Sequence, residues 1–422
     1  MVTENEKRNG RLKICLLTYR GNPTCGGQGV YINYLSRALR DLGHRVEVIS
    51  GPPYPVLAEG VKLHKLPGLD LYNPDHLFTV QRLRDLISPL NQIEYVSMCA
   101  GGFPEPFTFG WRVFNYLRSR RPAYDIVHDN QCLAYGLLGL PALGFPTLAT
   151  IHHPITVDQD VELQATRGIL KKIKIHRWYS FLRMQKRVTR RLARIITVSE
   201  CSKRDISKDF QVTAHKFRVV PNGINTDYFY PLGNVTRGPH HLLTTNSADT
   251  PLKGLRYLLE AVKILREKRP IHLTVIGEPK KDGAIEGLVR EWRLQEQVRF
   301  TGRIAYEEFA RYYAECTMAV IPSLYEGFGM PAGEAMACGV PVISTTGGAL
   351  PEVVGEAGIL VPPGDSSALV EAITDLLDNP RKREELGRAG LQRVMNSLTW
   401  EHAARKTVDV YRETIHAHRR FQ

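Results

Sequence analysis

Short β-branched apolar runs alternate with helical patterns along the whole chain. That alternation restricts the fold more than any other feature. In the first half the strand candidates are 13–18, 45–49, 61–66, 125–127, 147–151 and 195–198. In the second half they are 241–244, 272–276, 298–300, 318–321, 340–343 and 359–361. Helical patterns lie between them. In the first, Val30, Tyr34, Leu35, Ala38, Leu39 and Leu42 share a face, and Gly43 ends it. Segments 254–268 and 367–377 read the same way. Strand–helix alternation argues for parallel, doubly wound sheets. Two such series predict an α/β chain of two Rossmann-like domains, 1–220 and 221–398, parted at Pro221-Asn222-Gly223. Ligands of such sheets bind beyond the carboxyl ends of the strands, so a cleft with the two domains facing across it is the expected site.

Composition narrows the class. With 422 residues, 43% hydrophobic and 23% charged, the chain is neither disordered nor collagenous. Its seven cysteines are scattered and form no C-x-x-C pair, which argues against a zinc or disulfide frame and for a reducing cytoplasm. The first residues are polar with no apolar core, so no signal peptide is expected. Segment 131–151 carries no formal charge but is broken by Gly136, Gly139, Pro141, Gly144 and Pro146. It reads as a buried helix, a turn and a buried strand rather than a membrane span.

The formal charge of +13 is uneven: residues 1–220 carry +14 and 221–398 carry −3. Segment 163–199 holds 11 Lys and Arg and no acid, with Leu170, Ile173, Trp178 and Phe181 interleaved. It reads as one long basic helical stretch. Three readings compete: contact with an anionic membrane surface, nucleic-acid phosphates, or a solvated helix face.

Two glycine-rich turns carry the chemistry. Cys25-Gly26-Gly27-Gln28-Gly29 follows the first strand and opens the first helix. Backbone N–H groups there can approach a phosphate or substrate. No Lys-Ser/Thr follows, so this is not a P-loop. The second turn is Ser323-Leu-Tyr-Glu326-Gly327-Phe328-Gly329-Met-Pro331-Ala-Gly-Glu334, ending its helix near Gly339. Pro331 suits the first helical position, which places Glu326 in the loop and Glu334 inside the helix. Backbone N–H groups at Gly327, Phe328 and Gly329 suit a diphosphate. The two carboxylates suit sugar and ribose hydroxyls. A glycosidase acid/base pair is a second reading of the same carboxylates.

Glu326-x7-Glu334, within Tyr-Glu-Gly-Phe-Gly-x-Pro-x-x-Glu-Ala-Met-Ala-Cys-Gly-x-Pro-Val, resembles the retaining nucleotide-sugar glycosyltransferases of family GT4. Gly26-Gly27, Val220-Pro221-Asn222-Gly223-Ile224, Lys253-Gly254, Gly348 with Pro351-Glu352, and Thr399-Trp400-Glu401 also match. The likeness spans roughly 11–415. It implies a GT-B fold, with donor held mainly by the second domain and acceptor by the first, and a final helix (399–422) crossing back onto the first. It implies that Glu334 holds the ribose, that Glu326 meets the donor sugar, and that Lys253 pairs with the diphosphate. Gly27, Gly327, Phe328 and Gly329 then belong to the donor site, with Arg303 lining the base pocket. Such chains carry an Arg five residues before the lysine. Here that position is Ala248, leaving Arg256, Ser247 or backbone amides as stand-ins.

His152, just beyond the strand 147–151, matches the family's active-site histidine. Gln28, His128 and His153 are the acceptor-side candidates. Asp158-Gln-Asp160 reads as a D-x-D metal motif, but two acids supply too few oxygens and no metal is expected. Segment 103–111 is an aromatic, Pro-broken loop, suited to an acceptor if exposed and to the core if buried.

The resemblance thus implies a metal-independent, cofactor-free retaining glycosyltransferase acting on a sugar or lipid-linked acceptor. UDP-sugar is favoured over GDP-sugar, because UDP donors are commoner in such families. The expected location is cytoplasmic, peripheral on the inner face of the membrane. A nucleotide-sugar epimerase or glycoside phosphorylase would share the fold. A basic nucleic-acid-binding protein is the remote alternative, and no nucleic-acid module is recognisable.

Overall fold

The computed structural model describes residues 10–22, 27–73, 76–80, 82–120, 123–245 and 250–420. They form two parallel sheets. The first contains β1 (Lys13–Thr18), β2 (Arg45–Ser50), β3 (Lys62–Lys65), β4 (Ile126–Asn130), β5 (Thr147–Ile151), β6 (Ile195–Thr197) and β7 (Phe217–Val219), in the order β3-β2-β1-β4-β5-β6-β7. The second contains β8 (His241–Thr245), β9 (His272–Ile276), β10 (Val298–Phe300), β11 (Met318–Ile321), β12 (Val342–Thr345) and β13 (Ile359–Val361), in the order β10-β9-β8-β11-β12-β13. Each order reverses direction once, between β1 and β4 and between β8 and β11. Those reversals are the switch points where a crevice opens beyond the strand ends.

The strands read as unbroken apolar runs because helices cover both faces of a parallel sheet. Ile14, Cys15, Leu16 and Leu17 of β1 are all fully buried, as are Val342 and Ile343 of β12. Each sheet has its own core. Phe109, Val113, Leu117, Phe145 and Ile151 belong to the first, and Leu258, Leu259, Val262, Leu273 and Ile373 to the second.

The chain divides into two compact units. One comprises the described residues up to Val198, Ser202–Val220 and those from Ala403 onward; the other comprises Ser199–Cys201 and Pro221–His402. The last helix, Trp400–Arg419, therefore contributes most of its length to the first unit. Its Tyr411 is fully buried there. The described cysteines are all free.

Several expectations need correction. Segment 103–111 is not a loop: a helix spans Glu105–Arg118, with Phe109 buried and Phe107 packed on the same core. Pro104 and Pro106 sit at the helix start, where a missing N–H costs nothing. Segment 163–199 is not one helix. It closes the helix Thr156–Ala165, continues as Ile169–Trp178, turns at Tyr179–Phe181, resumes as Leu182–Arg191 and ends in β6. Trp178 and Phe181 face inward, with Trp178 packed on Tyr72 and Phe103 at ring separations of 5.2 and 5.1 Å. The helix expected after Gln131 is instead two short 3-10 turns, Tyr135–Gly139 and Pro141–Leu143. β12 starts at Val342 rather than 340, because Pro341 has no N–H for the ladder. β7 escaped the sequence reading: it is a three-residue strand carrying Arg218.

Candidate active site

At the switch point of the second sheet, the loops after β8 and β11 meet. Leu324 N–H donates to the Leu252 carbonyl at 2.7 Å. The 3-10 turn Pro251–Lys253 ends in Gly254, whose φ is +65°. A Cβ on Gly254 would lie 1.9 Å from the Pro322 carbonyl oxygen, so no other residue fits without moving backbone. This close approach brings Lys253 to Glu326: Nζ to Oε1 is 2.7 Å, with both side chains largely shielded. Ser323 Oγ donates to the same carboxylate oxygen at 2.9 Å. The Glu326 carbonyl accepts from Ala349 N–H at 2.8 Å, fixing the loop from its other side. Here a cation, a carboxylate and a polar loop converge from three separated stretches of sequence.

Glu326 precedes the helix Met330–Ala337, with Gly329 in a left-handed conformation at its N-cap. Pro331 is the second helical residue, one later than expected. Phe328 is buried and Gly327 partly exposed. Glu334, within the helix, is only 9% exposed. Burial pushes its carboxyl up to about 7, against the opposing pull of the Lys253 charge and the Tyr313 hydroxyl. Such a group is poised to ionise when a ligand supplies donors.

Other donor-side candidates lie apart or outside this cluster. Arg303 is exposed in the loop after β10, at the sheet edge and two strands from β8. Arg256 is exposed on the helix Leu255–Leu265. Ala248 and Ser247 fall outside the described residues, as do Cys25 and Gly26. Gly27, the first residue of the helix Gly27–Asp41, faces open space. Gly29 does not: a Cβ there would lie 2.1 Å from the Asn22 carbonyl oxygen. Packing therefore accounts for Gly29 and leaves Gly27 unexplained by local sterics.

In the first unit, β4 ends in Asn130 at the β1/β4 switch point, beside the start of the helix Gly27–Asp41. Asn130 Nδ2 donates to the Gln28 carbonyl at 3.2 Å. His152 follows β5, and its Nε2 lies 2.8 Å from Asn130 Oδ1. Its backbone N–H donates to Gln131 Oε1 at 2.8 Å, and its carbonyl accepts from Ser202 Oγ at 3.0 Å. The Tyr31 ring meets the imidazole edge-on at 4.6 Å. Burial, then the neighbouring His153, holds the imidazole neutral, with its pKa pulled down to about 3. Gln131 and Leu133, both left-handed, turn the chain sharply here. Asn130 and Gln131 were not singled out from sequence; their only signal is a polar run where β4 should have stopped.

The acceptor-side reading of His128 is corrected. It is the middle residue of β4, 1% exposed, with Nδ1 2.7 Å from Tyr411 Oη and Nε2 2.6 Å from Thr150 Oγ1. Both ring nitrogens are committed and no face reaches a ligand. His153 is half-exposed and pairs with Asp158 at 2.9 Å, on the helix Thr156–Ala165. Gln28 is partly buried, its side chain 3.5 Å from the Tyr19 hydroxyl.

Comparison with known proteins gives this geometry a family. Residues 25–228 match the family described as Glycosyltransferase Family 4, and residues 239–379 match Glycosyl transferases group 1. An MMP alpha-(1->4)-mannosyltransferase of Mycolicibacterium hassiacum is 43% identical over 408 residues, covering 96% of this chain and 98% of that protein. A D-inositol 3-phosphate glycosyltransferase of Pseudarthrobacter chlorophenolicus is 25% identical over 423 residues, covering 94% and 93%. Among solved structures, sucrose-phosphate synthase from Thermosynechococcus elongatus superposes with a TM-score of 0.69 at 25% identity, covering 96% of this chain and all of that one. The two family models and the 43% identical relative thus show that this chain, with its two parallel α/β sheets and its lysine–carboxylate pair at the second switch point, belongs to glycosyltransferase family 4 and is a glycosyltransferase of the GT-B fold.

Proposed function

We propose that the chain transfers a mannosyl group from a nucleotide-diphosphate donor to a glycan hydroxyl, with retention at the anomeric carbon. The observation that carries this reading is the Lys253–Glu326 pair at the β8/β11 switch point. An ammonium beside the glycine-rich start of a helix suits a diphosphate, and a hydrogen-bonded carboxylate suits the hydroxyls of the attached sugar. Glu334, eight residues on, is the acceptor for ribose hydroxyls. Mannose as the sugar rests on the activity printed for the 43% identical relative.

In this reading the protein works by orientation and by stabilising charge on the leaving group. Lys253 neutralises the diphosphate as the glycosidic bond breaks. Glu326 holds the donor sugar through its hydroxyls, and His152 meets it near the reacting centre. The leaving phosphate takes the acceptor's proton from the face where the new bond forms. No metal is assigned a role, since lysine and backbone amides provide the counter-charge.

A thermal-shift panel of UDP, GDP and their sugars, mannose included, is the test, followed by transfer assays in EDTA. One nucleotide series is expected to raise the melting temperature, because a ligand that binds only the folded state stabilises it. Transfer is expected to survive EDTA. No shift with any nucleotide, donor turnover only with phosphate, or loss in EDTA restored by Mn²⁺ or Mg²⁺ would each overturn part of the reading.

Membrane contact belongs to the same proposal. No described helix is long and apolar enough to cross a bilayer. The helix Ile169–Trp178, however, exposes Ile169 (79%), Leu170 (77%) and Ile173 (57%) beside exposed Lys171, Lys172 and Lys174. Apolar residues ringed by lysines suit the interface of an anionic bilayer, each lysine contributing about 1 kcal/mol. The chain is expected to float with vesicles containing anionic lipid at low salt and to detach as salt rises. Replacing the three lysines with Glu should release it without changing nucleotide binding. No flotation even at low salt would return the helix to solvent.

A further inference from the structure

The turn after β4 holds His152 more completely than a strand end requires. Two successive side-chain amides clamp it. Gln131 accepts from its backbone N–H at 2.8 Å and donates from Nε2 to the His153 carbonyl at 3.1 Å. Asn130 reaches the ring itself.

The chemistry of these partners fixes which way each amide points. The Gln28 carbonyl oxygen can only accept, so the Asn130 atom 3.2 Å from it is the NH₂ nitrogen. The other end of that amide, facing His152 Nε2 at 2.8 Å, is therefore oxygen. An amide oxygen also only accepts. Nε2 must carry the proton. A neutral imidazole has one N–H and one bare nitrogen, so Nδ1 is the bare one. No described residue is seen to bond Nδ1.

We propose that Asn130 is a positioning residue that locks His152 in its Nε2–H tautomer, so that Nδ1 accepts a hydrogen bond from a hydroxyl of the sugar substrate. This rests on the reading that His152 meets the donor sugar. The histidine then acts neither as a cation nor as a proton donor at that atom. Its partner must be a substrate O–H, which discriminates a free hydroxyl from one that is alkylated or oxidised. The Gln28 carbonyl ties this selection to the glycine-rich turn at the start of the first helix. The titratable groups nearest the ring are Tyr31, packed against it, and His128 and His153 as charge neighbours. None supplies a carboxylate to draw a second proton onto it.

Imidazole ¹⁵N–¹H correlation spectra of the full chain test the tautomer without reference to activity. The wild type is expected to show His152 protonated at Nε2 and bare at Nδ1 at neutral pH. N130A is expected to mix the tautomers and lower kcat about tenfold, the scale of one hydrogen bond, with the donor KM changed less than about twofold. N130D keeps the shape and guards against a folding artefact. Its carboxylate should favour the imidazolium, so its kcat deficit should be largest at low pH and shrink as pH rises through the raised histidine pKa. A structural filler would show no such profile. An Nδ1–H tautomer in the wild type, or an unchanged tautomer and kcat in N130A, overturns the proposal. Full activity in H152A would remove the substrate contact, while the spectra would still decide whether Asn130 fixes the ring.

Discussion

Lys253→Ala is expected to cut kcat by about 10²–10³, the effect of deleting one preorganised partner of a developing negative charge. Donor affinity should fall by less than about tenfold. The reason lies in when the charge grows. In the proposed donor complex the diphosphate would already be partly neutralised by loop amides, and a partly solvated ammonium would add modestly to that. As the glycosidic bond breaks, negative charge builds on the oxygen facing Lys253, and only then is the full interaction made. Lys253 also orders Glu326 through the 2.7 Å pair, so its removal frees the carboxylate proposed to hold the sugar. Single-turnover rates and calorimetric affinities for the variant separate the two effects. Equal losses in both would make Lys253 a ground-state clamp.

The second large effect falls on Glu334. Glu334→Gln keeps the shape of the side chain but not its charge. Nucleotide affinity is expected to drop by about 1.5–3 kcal/mol, the worth of charge-assisted hydrogen bonds to two hydroxyls. Its raised pKa of about 7 adds a pH signature. Ribose hydroxyls need the ionised carboxylate as acceptor. Affinity in the wild type should therefore weaken as pH falls through 7 and level off above it, with a proton released on binding near neutrality. The variant should lack that slope. Stability moves the other way. A carboxyl whose folded pKa lies above its unfolded value favours the fold when protonated, and that contribution is lost as pH rises from about 4.5 to 7. Glu334→Gln should therefore be the more stable protein above pH 7. Calorimetry at pH 6 and pH 8 reads both; unchanged affinity at pH 8 would remove the ribose assignment.

The two sheets were legible because parallel strands buried on both faces must be apolar along their length, and 13–18 and 318–321 announce themselves that way. Strand ends were less legible where polar residues continue a strand. His128, Asp129 and Asn130 lie in β4 because buried partners satisfy them, and no local pattern distinguishes that from a loop. His128 was misread for the same cause: the Tyr411 hydroxyl that occupies it lies 283 residues away. The Lys253–Glu326 contact was foreshadowed by two motifs 73 residues apart, but the distance between them depends on Gly254 tolerating the Pro322 carbonyl. The aromatic segment 103–111 reads as a loop on account of its prolines, which instead sit at the start of a helix. Trp178 looked available to a membrane until its ring partners, Tyr72 and Phe103, came from outside the basic segment.

The last helix completes a core begun some four hundred residues earlier, and that has a consequence for synthesis. Tyr411 fills a space against β4 and bonds His128, both side chains being buried. A nascent chain leaves the ribosome from its N-terminus, and domains generally fold as they emerge. Here the first unit is begun first yet lacks this helix until Ala403 and the residues after it have been made. Until then the β4 face with His128 stays uncovered, whereas the second unit, up to His402, is already whole. The first unit, begun first, is thus completed last, and a chain truncated short of Tyr411 would carry the second unit entire and the first without the residue that closes it.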